Sequence, residues 1–113
     1  MDITSEYFED ETYYCRECDK DIKDDQVNKQ NWCCDDCGRK LLIDIGIENH
    51  TNLVRLIPSE MTKYDNVFDK YYRKFHSLKG INYENGKYKI GVAEFGMLKL
   101  DEYEFVNCRW NDQ

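Results

Sequence analysis

The sequence predicts an α+β fold: a cysteine-held N-terminal module, then an amphipathic helix packed on a small antiparallel β-meander. Three observations predict it. Two C-x2-C pairs, Cys15/Cys18 and Cys34/Cys37, stand fifteen residues apart. Met61, Tyr64, Phe68, Tyr71, Phe75 and Leu78 recur at spacings of 3, 4, 3, 4 and 3, the period of one helix face. Asn85-Gly86, a type I′ turn pair, is flanked by Ile81/Tyr83 and by alternating Tyr88, Ile90 and Val92. The chain has 113 residues, enough for one compact domain or a small module on a slightly larger one. It divides into an acidic flexible arm (1–14), a cysteine module (15–46) and a helix-plus-strand segment (47–113), the last two packed as one compact unit.

The arm comes first. Residues 1–14 carry five acids and no base, with Ile3, Tyr7 and Phe8 as the apolar residues before Tyr13, so the arm orders only against the domain or a partner. This start is the reverse of a basic, apolar leader, and no apolar run is long enough to span a bilayer. The expected location is the cytoplasm, bacterial or of a virus-infected host cell, where thiols stay reduced and clustered cysteines act as metal ligands.

In the module, Cys15, Cys18, Cys34 and Cys37 have the spacing of a tetrahedral four-thiolate site, which predicts one structural Zn2+. Cys33 is an alternative to Cys34, since four-residue spacing to Cys37 also fits one helix face. Cys34 is preferred because it repeats the two-residue spacer and continues a stripe through Cys37, Leu41 and Ile45. That stripe predicts a helix beginning at Cys34, with Asp35 and Asp36 in its first turn and Gly46 as its left-handed stop. Residues 19–31 are polar and predict a short irregular hairpin, and Trp32 is expected to cover the metal core. Residues 15–45, above all Trp32-Cys33-Cys34-Asp35-Asp36-Cys37-Gly38, resemble four-cysteine treble-clef fingers of the GATA type and the small zinc-bound anti-sigma factors of sporulating bacteria. The resemblance implies the order knuckle, hairpin, helix, with Cys15, Cys18, Cys34 and Cys37 as ligands. It brings no partner with it.

Beyond the module, residues 47–52 form a polar link, and Leu53 to Ile57 a short strand or helical turn before Pro58. The helix over 61–78 follows, with capping-box spacing at Thr62/Asp65 and Gly80 as its end. On this helix His76 is a solvated cation near the C-terminus. Leu98/Leu100 and Tyr103/Phe105 give further strands, Gly91 and Gly96 a bulge or bend, and the phase shift to Val106, Cys108 and Trp110 a bulge or a strand buried on both faces.

Convergent catalytic groups are missing from the sequence. The glycines at 80, 86, 91 and 96 do not form a phosphate-cradling loop, and the C-x2-C pairs lack a thioredoxin-like context. Glu48-Asn49-His50-Thr51-Asn52-Leu53 is similar to the His-Asn segment of HNH nucleases, but residues 19–45 contain no histidine to hold a catalytic metal. The expectation is therefore not an enzyme. The net charge is −7, and it is uneven: residues 15–45 carry eight acids against six bases, while residues 46–113 balance at ten of each. Glu9, Asp10, Glu11, Asp24, Asp25, Asp35 and Asp36 form the candidate partner-binding surface, its plain alternative being a solvated shell. The sequence predicts a non-catalytic, zinc-stabilised protein-binding module, an inhibitor or adaptor that meets a basic protein surface, such as a phage anti-defence or bacterial immunity protein. A nucleic-acid-binding zinc finger in transcription is the alternative, drawing on Lys70, Arg73, Lys74, His76 and Lys79; an HNH-like nuclease is a distant third.

Overall fold

A computed structural model describes residues 1–6, 8–47 and 52–111. Among them there are nine strands, all paired antiparallel where pairing is defined, and two 3-10 turns of three residues each. The predicted α+β class is therefore wrong: the described chain is antiparallel sheet without an α-helix. It forms two units, a sheet unit (Met1–Ser5 and Arg55–Arg109) and a cysteine unit (Glu6–Val54 and Trp110–Gln113).

In the cysteine unit, β1 (Thr12–Cys15) lies between β2 (Lys20–Ile22) and β3 (Leu42–Asp44), and Ile43 of β3 faces Leu53, the first residue of β4 (Leu53–Leu56). Tyr13, Trp32, Leu41, Ile43, Ile45 and Leu53 fill its core, with the Tyr13 and Trp32 rings 6.0 Å apart. The helix predicted from Cys34 does not form. The Cys34 carbonyl accepts the Gly38 N–H at 2.7 Å, and the Cys34 N–H reaches back to the Arg39 carbonyl at 2.8 Å, so the backbone closes a tight turn. Cys33 then bridges Lys40, the Leu41 N–H bonds the Trp32 carbonyl, and the chain leaves as β3. Gly38, at φ +76, makes the reversal that a helix would have no use for. Gly46 is left-handed as predicted, but it follows a strand and is packed against Asp10, where a Cβ would come within 2.6 Å of the Asp10 Cβ.

In the sheet unit the strand order is β9-β5-β6-β7-β8, with β5 (Asn66–Asp69), β6 (Lys74–Glu84), β7 (Lys87–Val92) and β8 (Gly96–Asp101) forming a four-stranded meander and β9 (Val106–Arg109) beside β5. The segment predicted as the 61–78 helix is a turn plus the β5–β6 hairpin. Phe68 pairs with Phe75 across that hairpin, ring centroids 5.4 Å apart, so the spacing of seven that suggested two helical turns is the span of a strand reversal. The helical stripe is split accordingly: Met61, Phe68 and Leu78 are buried, but Tyr64 and Tyr71 are 77% and 73% exposed. The capping-box pair closes a local turn, the Thr62 N–H donating to Asp65 Oδ2 at 2.7 Å and the Asp65 N–H to the Thr62 carbonyl at 3.0 Å.

The Asn85-Gly86 hairpin forms as a type I′ turn needs, with φ of +53 and +78 and Tyr83 opposite Tyr88. The irregularity lies in β6, between Leu78 and Gly80, opposite the expected Gly91. Tyr103 and Phe105 form no strand; they belong to the connection from β8 to β9. In β9, Val106, Asn107 and Cys108 are all buried, a strand covered on both faces. Ile3 is also buried, its carbonyl accepting the Asn107 N–H at 2.8 Å, and the Asn107 side chain donates to the Ser5 carbonyl at 2.7 Å.

Candidate metal centre

Two tight turns carry the cysteines. The first follows β1: Cys15 ends that strand, Asp19 takes a left-handed φ of +51, and β2 returns antiparallel. Within the turn the Cys18 N–H donates to the Cys15 sulfur at 3.4 Å. The second turn, Cys34 to Gly38, repeats the device without a helix. Each is a knuckle in which a C-x2-C spacer points both sulfurs to one side.

The knuckles face each other, and the sulfurs of Cys15, Cys18, Cys34 and Cys37 all lie within 4.8 Å of one another. Cys15 Sγ is 3.5 Å from Cys37 Sγ, and Cys18 Sγ is 4.0 Å from Cys34 Sγ. Metal–sulfur bonds of about 2.3 Å in a tetrahedron place ligand sulfurs about 3.8 Å apart. The two distances bracket that value, and both far exceed the roughly 2.05 Å of a disulfide. These four side chains can hold one metal ion. Cys15 and Cys34 are buried, Cys18 is half-buried and Cys37 is exposed, so the cluster sits under the surface with one edge on solvent. Cys33 points elsewhere, its thiol donating to the Asn31 carbonyl at 3.5 Å.

Burial and mutual contact act on the thiols in different directions. Burial pushes the Cys34 thiol up, but N–H groups of Cys37 and Asp36 and the thiols of Cys15 and Cys37 outweigh it and bring it below its ordinary value. Burial likewise raises Cys15. Cys18 is pushed up to about 12, first by its contact with Cys37, then by burial and its contacts with the other cysteines. Cys34 is thus the thiol disposed to ionise, while burial raises Cys15, and the contact with Cys37, followed by burial, raises Cys18. A divalent cation reverses that penalty and deprotonates coordinating thiols outright.

The seven candidate partner-binding acids all belong to the cysteine unit. Glu11 and Asp24 are brought together at the Tyr13 hydroxyl, which donates to Glu11 Oε2 at 2.5 Å and lies 3.5 Å from Asp24 Oδ1, and Lys29 pairs with Asp24. Lys20 forms an ion pair with Asp36, and Asn28 donates to Asp35. Glu9, Asp10 and Asp25 are exposed. By sequence the cysteine unit holds fourteen acids and six bases, and the sheet unit nine acids and ten bases, net −8 against +1.

Sequence reasoning missed a buried polar group in the sheet unit. His76, predicted as a solvated cation, is buried, and its Nε2 lies 3.0 Å from Asp69 Oδ2, the two side chains 3% and 0% exposed. Burial alone raises the Asp69 carboxyl. Hydrogen bonds from the Asp2 N–H, His76 and the N–H groups of Tyr71 and Tyr72 win, holding it below the usual carboxylate value. This carboxylate ties the N-terminal residues to the β5–β6 turn, a structural task. Arg55 Nε donates to Asn107 Oδ1 at 2.9 Å, a second buried tie across long sequence separation. Only the hairpin register, which the helical spacing concealed, would have revealed the first pair. Of the HNH-like stretch Glu48 to Leu53, residues 48–51, with His50 among them, lie outside the described residues, and Leu53 opens β4.

No helix among the described residues is long and apolar enough to cross a membrane. No protein-family model, curated protein or solved structure matches the chain.

Proposed function

We propose that the chain is a non-catalytic, zinc-stabilised module that binds a protein with a basic surface, acting as an inhibitor or adaptor. The observation that carries this reading is the pairing of a closed four-sulfur cluster with a unit of net charge −8. Four cysteine ligands satisfy tetrahedral zinc without an open position for water or substrate, which is the pattern of structural sites. Cys15, Cys18, Cys34 and Cys37 would hold the ion, and bound zinc would supply a cross-link between the two knuckles. Two facing knuckles on short strands are the arrangement of a zinc ribbon; a treble clef would need the helix that residues 34–45 do not form. The transcription-finger alternative loses with that helix the element that would enter a groove.

An acidic surface supports a protein partner with complementary charge, since it raises encounter rates and selects against acidic competitors. The test is affinity capture from a host lysate with the zinc-loaded chain at about 50 mM salt, beside an Asp24→Lys/Asp25→Lys variant. A partner held by the native chain, released at high salt and lost with the variant is the expected result. Capture equal in both, or insensitive to salt, would remove the acidic surface from the explanation. Zinc itself is checked by elemental analysis, one ion per chain being expected.

A further inference from the structure

The sheet unit presents an aromatic feature that its core does not use. At the β5–β6 turn, Tyr71 and Tyr72 are 73% and 53% exposed, with ring centroids 4.7 Å apart. Tyr72 is 5.6 Å from Phe95, which is 37% exposed in the turn between β7 and β8, and Phe95 meets the buried His76 ring at 4.6 Å. Four rings thus run in a row from the interior to solvent. Contiguous exposed apolar groups mark places where a protein surface meets something else.

The turn is held rigidly from beneath. Asp69 accepts the N–H groups of Tyr71 and Asp2 at 2.9 Å each, and the Lys70 N–H donates to the Asp2 carbonyl at 2.8 Å. Arg73, an exposed cation, occupies a left-handed position (φ +56) where glycine or asparagine would relax the backbone, and exposed Lys74 follows it. Glu94, also exposed, is the acid next to Phe95 in sequence. The Tyr71 and Tyr72 planes stand at 80°, so the exposed rings offer faces in different directions, and Arg73 and Lys74 follow them in sequence; single-stranded nucleic acid uses π-faces for its bases and positive charge for its backbone.

We propose that Tyr71, Tyr72 and Phe95 form a stacking platform for single-stranded nucleic acid, with Arg73 and Lys74 contacting its phosphates. The charge of the two units agrees with this placement, since the platform lies on the unit of net charge +1. Bases stack on the exposed rings without sequence preference, and the Arg73 guanidinium holds the adjoining phosphate. The site does not involve the cysteine cluster.

The test is fluorescence anisotropy of the full, zinc-loaded chain with labelled 12-nucleotide single strands of mixed sequence, one DNA and one RNA, at about 50 mM salt. Binding is expected, with a log–log salt slope of about −1.4 for two phosphates. Comparing the DNA and RNA arms decides which backbone is preferred. Tyr72→Ala should weaken binding about tenfold and Tyr72→Phe should retain it. Arg73→Gly should weaken binding while raising the melting temperature by about 4–8 °C, because it relaxes the left-handed residue. No binding by either strand overturns the proposal. So does equal affinity for a duplex, or binding that survives both Tyr72→Ala and Arg73→Gly. Rings required only for capturing a protein would overturn it in favour of a protein interface.

Discussion

In the cysteine unit three strands of three or four residues stand beside a core that includes Tyr13, Trp32 and Leu41, and two turns bring four cysteine sulfurs within 4.8 Å of one another. In the sheet unit five strands of four to eleven residues are joined by cross-strand pairs and by an apolar core that includes Phe68, Val67, Ile90, Val92 and Val106. The first unit adds to its buried core of Tyr13, Trp32, Leu41, Ile43 and Leu53 a cysteine cluster able to hold an ion; the second adds to its core polar ties such as Asp69 with His76. Their surfaces differ in the same way. One carries most of the chain's negative charge, and the other carries rings and cations.

Metal removal should separate the two most. Structural zinc contributes roughly 10–16 kcal/mol in finger peptides. Chelation or Cys37→Ser is therefore expected to strip residues 12–45 of amide protection in hydrogen exchange while β5–β9 keep theirs. Equal loss in both segments would break the comparison. The converse is Phe68→Ala, expected to cost about 3–5 kcal/mol in denaturant titration with metal stoichiometry unchanged. Asp69→Ala should cost about 3 kcal/mol, since it leaves buried His76 and the part-buried N–H groups of Asp2 and Tyr71 without their acceptor. It should also alter acid sensitivity. A carboxyl held below its ordinary value in the folded state contributes fully above the unfolded value of about 3.9, and that contribution is lost as pH falls through the lower folded value. The native chain should lose stability over that window, and Asp69→Ala should show a flatter acid limb. The smallest effects are expected at glycines. Gly86→Ala and Gly38→Ala each force alanine into a left-handed turn at about 1 kcal/mol, the first read in the melting temperature and the second in zinc retention.

The cysteine pairs were legible because C-x2-C spacing is a local geometric demand, and the structure brings those four sulfurs together. The Asn85-Gly86 turn was legible for the same reason: two left-handed residues in succession select that dipeptide. The rest of the fold was hidden by a coincidence of spacing. Phe68 and Phe75 are seven apart, which is two helical turns and also a hairpin with its pair across the turn. Strand alternation could not correct the mistake, since Val67, Phe68 and Asp69 of β5 are all buried and leave no polar phase. Tyr64 and Tyr71 completed a convincing stripe while lying on turns in solvent. The second knuckle was obscured similarly, Cys34, Cys37 and Leu41 fitting a helix face although Gly38 breaks it. The acidic and aromatic surfaces could be listed by residue, but which residues share a unit depended on the division after Ser5 and again at Arg55.

That division has a kinetic consequence. The larger segment of the cysteine unit, Glu6–Val54, interrupts the sheet unit's sequence, entering after Ser5 and returning the chain at Arg55, and Trp110–Gln113 joins it again at the C-terminal end. Ser5 and Asn107 bond across 102 residues, and Asp2 and Asp69 across 67, so these contacts carry a high loop-closure entropy in an unfolded chain. During synthesis, Ile3 has to wait for β9 before it can be covered. Contacts of such long range place the seating of residues 2–5 late in folding, after the local β5–β8 hairpins have formed. The four cysteines, all within residues 15–37, are synthesised before the sheet unit's first hairpin, so an ion they hold can be captured before residues 2–5 are seated.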